Sequence, residues 1–341
     1  MKNNRIAWID ICRGVGILTV IYAHGLSADK FRFIFYAFHI PLFFFLSGIT
    51  FRHKQHENIL ISLKKAVKSI LLPYFLFALL GYGFWLILNI HRFSLEGFMQ
   101  IIINIVYGNG SGKQFFYNAV LWFLPCLFIT RYLFTLITYF TTKSKSIILI
   151  LILASVISYL GGTFFPELKL PFGFETALSG VIFFGLGYLY HGHENLQKWI
   201  QDNRFILGVI FLNLLLVIAT WNFLITGHQI DMRINRINNH LLFYLGAISG
   251  IGMCLSLSYI IRENKILQFL GKNSLPLFVF HLMIFSYISK ILMLWINPAT
   301  ISQYRNLFFA PLYSLISILI ISSCLYLYRK TIHNRSKNYA I

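Results

Sequence analysis

The chain has 341 residues, of which 57% are apolar and only 11% charged, and its mean hydropathy is +0.70. Soluble domains carry about 25% charged residues, so this composition excludes a disordered chain, a collagen-like repeat and an ordinary cytosolic enzyme, and it indicates a polytopic membrane protein. The net charge of +19 would suit a nucleic-acid binder if the bases were gathered on a solvated surface, but they lie between apolar runs, where a membrane protein places them.

A bilayer crossing takes roughly 17–25 apolar residues. Ten runs qualify, at about 9–26, 31–51, 70–90, 118–140, 147–165, 174–190, 205–225, 240–261, 275–296 and 307–328. The fold class expected is therefore all-α: a polytopic integral membrane protein of about ten transmembrane helices. Residues 1–341 form a single domain, embedded from about 9 to 328, with a short tail at 329–341. The first run is not a signal peptide, because Asp10 and Arg13 interrupt its apolar core. Those two residues are three apart, so they share a helix face and can pair. His24 lies eleven beyond Arg13, close to three turns, on the same face and roughly 16 Å further along the axis.

The second run reads His39-Ile40-Pro41-Leu42-Phe43-Phe44-Phe45-Leu46-Ser47-Gly48. His39 falls at the same depth range as His24, and paired imidazoles suit proton transfer because histidine titrates near neutral pH. Pro41 can bend the helix and free a carbonyl. Ser47 and Gly48 allow close helix approach as readily as they suit a ligand. The stretch 97–107 is too short to cross and reads as interfacial or re-entrant, followed by a flexible glycine-rich loop at 108–112. Arg131, in the fourth run, has no partner nearby in sequence. The loop 222–239 carries His228, Asp231, Arg233 and Arg236; it is a candidate acceptor groove, although an ordinary polar loop is the favoured reading. In the ninth run Ser274 fits an N-cap and Pro276 the first turn, which puts His281 two turns in. Lys290 lies on a different face.

Cys12, Cys126, Cys254 and Cys324 sit far apart in apolar runs and read as small buried hydrophobes, with no metal-ligand spacing. No internal repeat is visible, which disfavours a transporter built from inverted halves. With the N-terminus inside, 18 of the 29 Lys and Arg fall on cytoplasmic segments and 8 outside, while Arg13, Arg131 and Lys290 lie within spans. That bias favours cytoplasmic N- and C-termini.

Arg13 followed by ten residues and His24, Phe43-Phe44-Phe45-Leu46-Ser47-Gly48, the opening Trp8-Ile9-Asp10-Ile11-Cys12-Arg13-Gly14 and the stretch Gly271-Lys272-Asn273-Ser274-Leu275 leading to His281 resemble the motifs of the acyltransferase family 3 membrane proteins. His39-Ile40-Pro41-Leu42 and Leu121-Trp122-Phe123-Leu124-Pro125 look most like the fucose 4-O-acetylase-like branch, which modifies Nod factors and surface polysaccharides. The resemblance covers nearly the whole chain and implies a multi-pass enzyme of the bacterial cytoplasmic (inner) membrane. Its members move an acyl group, commonly acetyl, from acyl-CoA in the cytoplasm to a hydroxyl of a cell-surface glycan or its lipid-linked precursor. Only about a dozen residues follow the last run, so the membrane-only type is expected.

The residues suit that chemistry. Acyl transfer to a hydroxyl needs a base, and His24 is placed to act as one, or as a transient acyl carrier, with His39 supporting it or contacting the acceptor. Asp10 would orient Arg13. Guanidinium groups suit the phosphates of acetyl-CoA, so Arg13, with Arg52 and Lys68 from the basic loop 52–68, forms the expected cofactor-binding set, to which Ser47 and His281 are added. Expected partners are acyl-CoA, a glycan or lipid-linked saccharide and membrane lipid. No metal and no nucleic acid are expected, and a homo-oligomer is left open. Two rivals stand beside the enzyme: a glycan or lipid transporter or flippase, and a non-catalytic membrane sensor on the same module. The transporter does not explain why a polar stripe follows one helix and ends at a histidine, and CoA release by purified protein separates the enzyme from the sensor.

Overall fold

The computed structural model describes residues 7–27, 31–52, 56, 58–88, 90, 93–110, 118–237 and 239–338, with side chains to residue 331. Lys2, Arg5, Lys30, Lys54, Arg92 and Lys113, which entered the charge count, lie outside the described residues, as do residues 111 and 112 of the glycine-rich loop and the side chains of Arg335 and Lys337. The protein is about 85% helical, with no strands among the described residues. Hydrocarbon offers no partner to backbone N–H and C=O groups, so each crossing segment satisfies its own as a helix.

The chain begins with α1 (Ala7–Gly25), then α2 (Arg32–Tyr36) and α3 (His39–Ile49). Next come α4 (Ile59–Ala66), a π-helical turn at Val67–Leu71 and α5 (Leu72–Leu88), which form one continuous rod. The short α6 (Leu95–Tyr107) follows, then α7 (Phe123–Phe140), α8 (Ser144–Phe164) and α9 (Phe174–Gly192). The second half holds α10 (Glu194–Asp202), α11 (Arg204–Thr226), α12 (His240–Ile261), α13 (Lys265–Lys272), α14 (Ser274–Leu292), α15 (Pro298–Gln303) and α16 (Ala310–Asn338).

Nine stretches among the described residues are both long and apolar enough to cross a membrane. α1 is not one of them, because Asp10, Arg13 and His24 lower its apolarity, but its 19 residues span about 28 Å. Its contacts show that it crosses as the tenth. At its first end Asp10 lies 4.0 Å from Lys272, just before α14. At its last end Arg305 Nε donates to the Gly25 carbonyl at 2.8 Å, where α16 begins. α14 and α16 are antiparallel neighbours, and Arg329 near the end of α16 donates to Asn273 Oδ1 at 2.7 Å, back beside the start of α14. The Asp10 end of α1 and the Arg329 end of α16 therefore share one face of the bundle, the near face, and the Gly25 end lies on the far face.

Two reciprocal glycine contacts set the closest approaches. A Cβ at Gly48 would meet the Phe184 carbonyl, and one at Gly187 the Phe45 carbonyl, so α3 and α9 touch backbone to backbone. Gly14 faces the Leu267 carbonyl and Gly271 the Asp10 carbonyl, which presses α13 against the first turns of α1. Small residues are the usual means of such contact in lipid, where apolar burial drives no association.

Several expectations need correction. The third crossing helix starts at Ile59, not near residue 70, so Lys64, Lys65 and Lys68 stand exposed on a helix rather than in a loop. That helix packs on α7, where Ser62 Oγ and Thr135 Oγ1 are 3.5 Å apart. The N-cap position of α14 is held by Asn273, whose Nδ2 donates to the Phe269 carbonyl at 2.6 Å, and Ser274 is the first helical residue. Residues 329–338 of the expected tail are helical and continue α16. Cys12, Cys126 and Cys254 are buried, but Cys324 is exposed on α16. An apolar run does not imply burial within the protein, because the lipid-facing side of a crossing helix is apolar as well.

Candidate functional site

His24 occupies the last turn of α1, and that end is locked to the start of α16. Besides the Arg305 contact, Asn306 Oδ1 accepts from Ser27 N at 2.9 Å, and the Gly25 backbone lies directly against Ala310. The cationic Arg305 there also complements the negative end of the α1 dipole.

His39 is the first residue of α3, just past a break in the helix at Ala37–Phe38. The break falls before Pro41, which sits in the first turn of α3, where its missing N–H costs nothing. At the break, the Phe35 carbonyl accepts from Phe38 N at 3.1 Å and from the His39 ring at Nδ1, 2.6 Å away. The interruption thus fixes the ring of His39.

His281, fully buried on α14, completes the cluster. Its Nδ1 lies 3.1 Å from the Leu277 carbonyl, and its Nε2 lies 3.1 Å from His24 Nδ1. A carbonyl can only accept, so His281 carries its proton on Nδ1 and its Nε2 is an acceptor. His24 must then donate from Nδ1, shared with the Val20 carbonyl at 3.0 Å, which leaves its Nε2 as a lone pair. The same logic gives His39 a free lone pair on Nε2. The rings of His24 and His281 are 5.0 Å apart and those of His24 and His39 6.2 Å.

His24 and His39 line a cavity of about 340 Å³ that opens on the far face; His281 lies behind His24. The rest of the wall includes Arg32, Tyr36, Trp122, Asp231 and Arg233. Arg32 stacks over Tyr36 at 4.9 Å and donates from Nε to Gln229 Oε1 at 2.8 Å, while Arg233 pairs with Asp231 at 3.5 Å. The reading of 222–239 as an ordinary polar loop missed this placement of Asp231 and Arg233. Their signal was the pair of opposite charges two residues apart, Asp231 and Arg233.

The near-face residues form a second group. Arg13 Nη2 donates to Thr50 Oγ1 at 3.3 Å. Two residues on, Arg52 Nη1 donates to the Ile49 and Phe51 carbonyls at 2.9 and 2.8 Å, and its Nη2 lies 3.0 Å from His191 Nε2. Arg131 stacks over the Phe51 ring at 5.8 Å, and its shielded Nε has no hydrogen-bond partner among the described residues. Three guanidinium groups therefore converge on the segment Thr50–Arg52, and sequence reasoning missed Arg131 as one of them.

Ser47 spends its hydroxyl on the Phe43 carbonyl at 2.7 Å. Lys68 points outward from the π-helical turn, and His281, expected with the cofactor set, lies with His24 instead. No group of three His, Cys, Asp or Glu among the described residues is arranged to hold a metal ion.

A base with a free lone pair, oriented by a second imidazole and facing a polar cavity, can take a proton from a hydroxyl. A family model described as an acyltransferase domain matches residues 6–329, nearly the whole chain. No curated protein and no solved structure gives a significant match.

Proposed function

As the chain belongs to this acyltransferase family, we propose that it moves an acetyl group from cytoplasmic acetyl-CoA to a hydroxyl of a cell-surface glycan or its lipid-linked precursor. The setting proposed is the bacterial cytoplasmic membrane, with the near face inward as the basic bias favours, and membership of the fucose 4-O-acetylase-like branch is proposed on the motifs at 39–42 and 121–125. The observation that carries the reading is one helix with a guanidinium near its inner end and an oriented imidazole at its outer end.

In this mechanism the phosphates of acetyl-CoA dock among Arg13, Arg52 and Arg131, whose planar donors suit them. Arg13 and His24 are eleven residues apart, about 16 Å along the axis, which is near the reach of an extended pantetheine arm. Asp10, held by Lys272, steadies the first turns of α1 around Arg13. The acceptor enters the cavity from the far face. His24 Nε2 takes the proton of its hydroxyl as the oxygen attacks the thioester carbon. The tetrahedral intermediate then expels CoA thiolate, which regains a proton from the imidazolium. His39 Nε2 accepts a hydrogen bond from a neighbouring hydroxyl of the same sugar.

The test is thiol release from acetyl-CoA by purified protein with a glycan acceptor. His24→Ala is expected to lower turnover about 10²- to 10⁴-fold, and Arg13→Ala to weaken acetyl-CoA binding about tenfold or more by calorimetry. Full turnover in His24→Ala, or unchanged affinity in Arg13→Ala, overturns the corresponding role.

A further inference from the structure

A second and larger cavity, about 1080 Å³, opens on the far face beside the first. The two share a wall. Residues Asp231, Met232 and Arg233 face the histidine cavity, and Ile234, Asn235, Arg236 and Ile237 face the larger one. The wall is pinned from several sides. Asp231 and Arg236 exchange backbone hydrogen bonds of 2.8 and 2.9 Å, and Thr176 Oγ1 donates to the Met232 carbonyl at 3.0 Å. Arg233 Nη1 donates to the Gly110 carbonyl at 2.8 Å, and Lys169 Nζ to the Ile234 carbonyl at 3.1 Å. A fixed partition between adjacent cavities lets one elongated ligand pass over its rim and occupy both.

We propose that the larger cavity binds a neutral saccharide unit of an extended acceptor while the unit to be acylated sits at His24. This rests on the glycan reading above and deepens it from a hydroxyl acceptor to an oligosaccharide one. Gln100, Asn104 and Asn235 supply amide groups; Gln100 Nε2 donates to Asn104 Oδ1 at 3.1 Å, which leaves the Gln100 oxygen and the Asn104 amide hydrogens to meet sugar hydroxyls beside Asn235. The Asn235 Oδ1 atom is shielded and has no hydrogen-bond partner among the described residues. The rings of Tyr107 and His240 offer flat faces for sugar C–H groups. An anionic ligand fits worse: Lys169 Nζ already serves the Pro166 and Ile234 carbonyls, and Glu167 offsets Arg236 on the same wall.

The test uses the full chain in nanodiscs, with fragments of the parent cell's own surface glycan, released by mild acid and sized from mono- to tetrasaccharide. For the wild type, KM for the acceptor should fall about tenfold from mono- to tetrasaccharide, the worth of one or two hydrogen bonds. Gln100→Ala combined with Asn235→Gly should erase that gain and leave monosaccharide transfer unchanged; glycine is chosen because Asn235 has a φ of +55°. A length gain that survives in the double variant, or an equal loss for every fragment, overturns the proposal. If no fragment accepts an acyl group, the acyl-transfer reading fails instead, and tetrasaccharide binding by saturation-transfer NMR then decides the cavity. Weaker binding in the double variant supports it, and equal binding, or displacement by inorganic phosphate, overturns it.

Discussion

His281 lies behind His24 rather than on the cavity wall, yet it decides which nitrogen of His24 is available. The chain Leu277 carbonyl, His281 Nδ1, His281 Nε2, His24 Nδ1 leaves one tautomer for each ring. In the proposed mechanism His281 is therefore a positioning residue. His281→Ala is expected to lower kcat about tenfold or more with KM for acetyl-CoA unchanged, and His281→Gln, whose Oε1 can accept in place of Nε2, to restore part of the loss. Steady-state thiol release separates this from a structural defect, because misfolding lowers active enzyme without a rescue specific to an acceptor side chain. The pairing of Arg13 with His24 was legible, because both lie on one helix and the 3.6-residue period is local. The contact of His24 with His281 was not, because 257 residues separate them. Arg131 escaped for the same reason: its neighbour Phe51, just past the end of α3, is 80 residues away in sequence.

At the level of elements, the motif glycines do structural work that their neighbours exploit. Gly14 follows Arg13 and Gly48 follows Ser47, and each meets the carbonyl of a facing helix. An added methyl there must displace backbone, not a flexible side chain, so Gly48→Ala and Gly271→Ala should each cost about 1–3 kcal/mol, read as a lower Tm in detergent. Gly161→Ala is the control, because nothing lies within 4 Å of a Cβ there, and it should leave Tm unchanged or slightly raised. The Ser-Gly pair of the second run was open to either a packing or a ligand role. The structure puts Gly48 in packing and the Ser47 hydroxyl on its own helix. The bend expected from Pro41 is also real, but it falls at Ala37–Phe38, because proline is tolerated in a first turn and the helix restarts just ahead of it.

For the whole molecule, contacts place the first turns of α1 and the end of α16 on one face, and the charge bias is the ground for proposing that this face is cytoplasmic. With Cys12, Cys126, Cys254 and Cys324 replaced by serine or alanine, Lys143→Cys between α7 and α8 should be shielded from a membrane-impermeant maleimide in intact cells, and Ser302→Cys in α15 should be labelled. The opposite pattern would invert the topology and with it the side from which acetyl-CoA is proposed to enter. The sequence by itself determined the all-helical class, the near-complete set of crossings and the polar stripe on the first helix. Chain length, helix rise and the cost of charge in hydrocarbon act locally and leave a periodic trace. Only the tertiary structure decided which histidine backs His24, which guanidinium groups gather at Thr50–Arg52, and that the 231–237 segment divides two cavities. In a membrane the faces that meet lipid and the faces that meet protein are both apolar, so composition carries no mark of which helices touch. Small residues and scattered polar groups, brought together across the fold, make that choice.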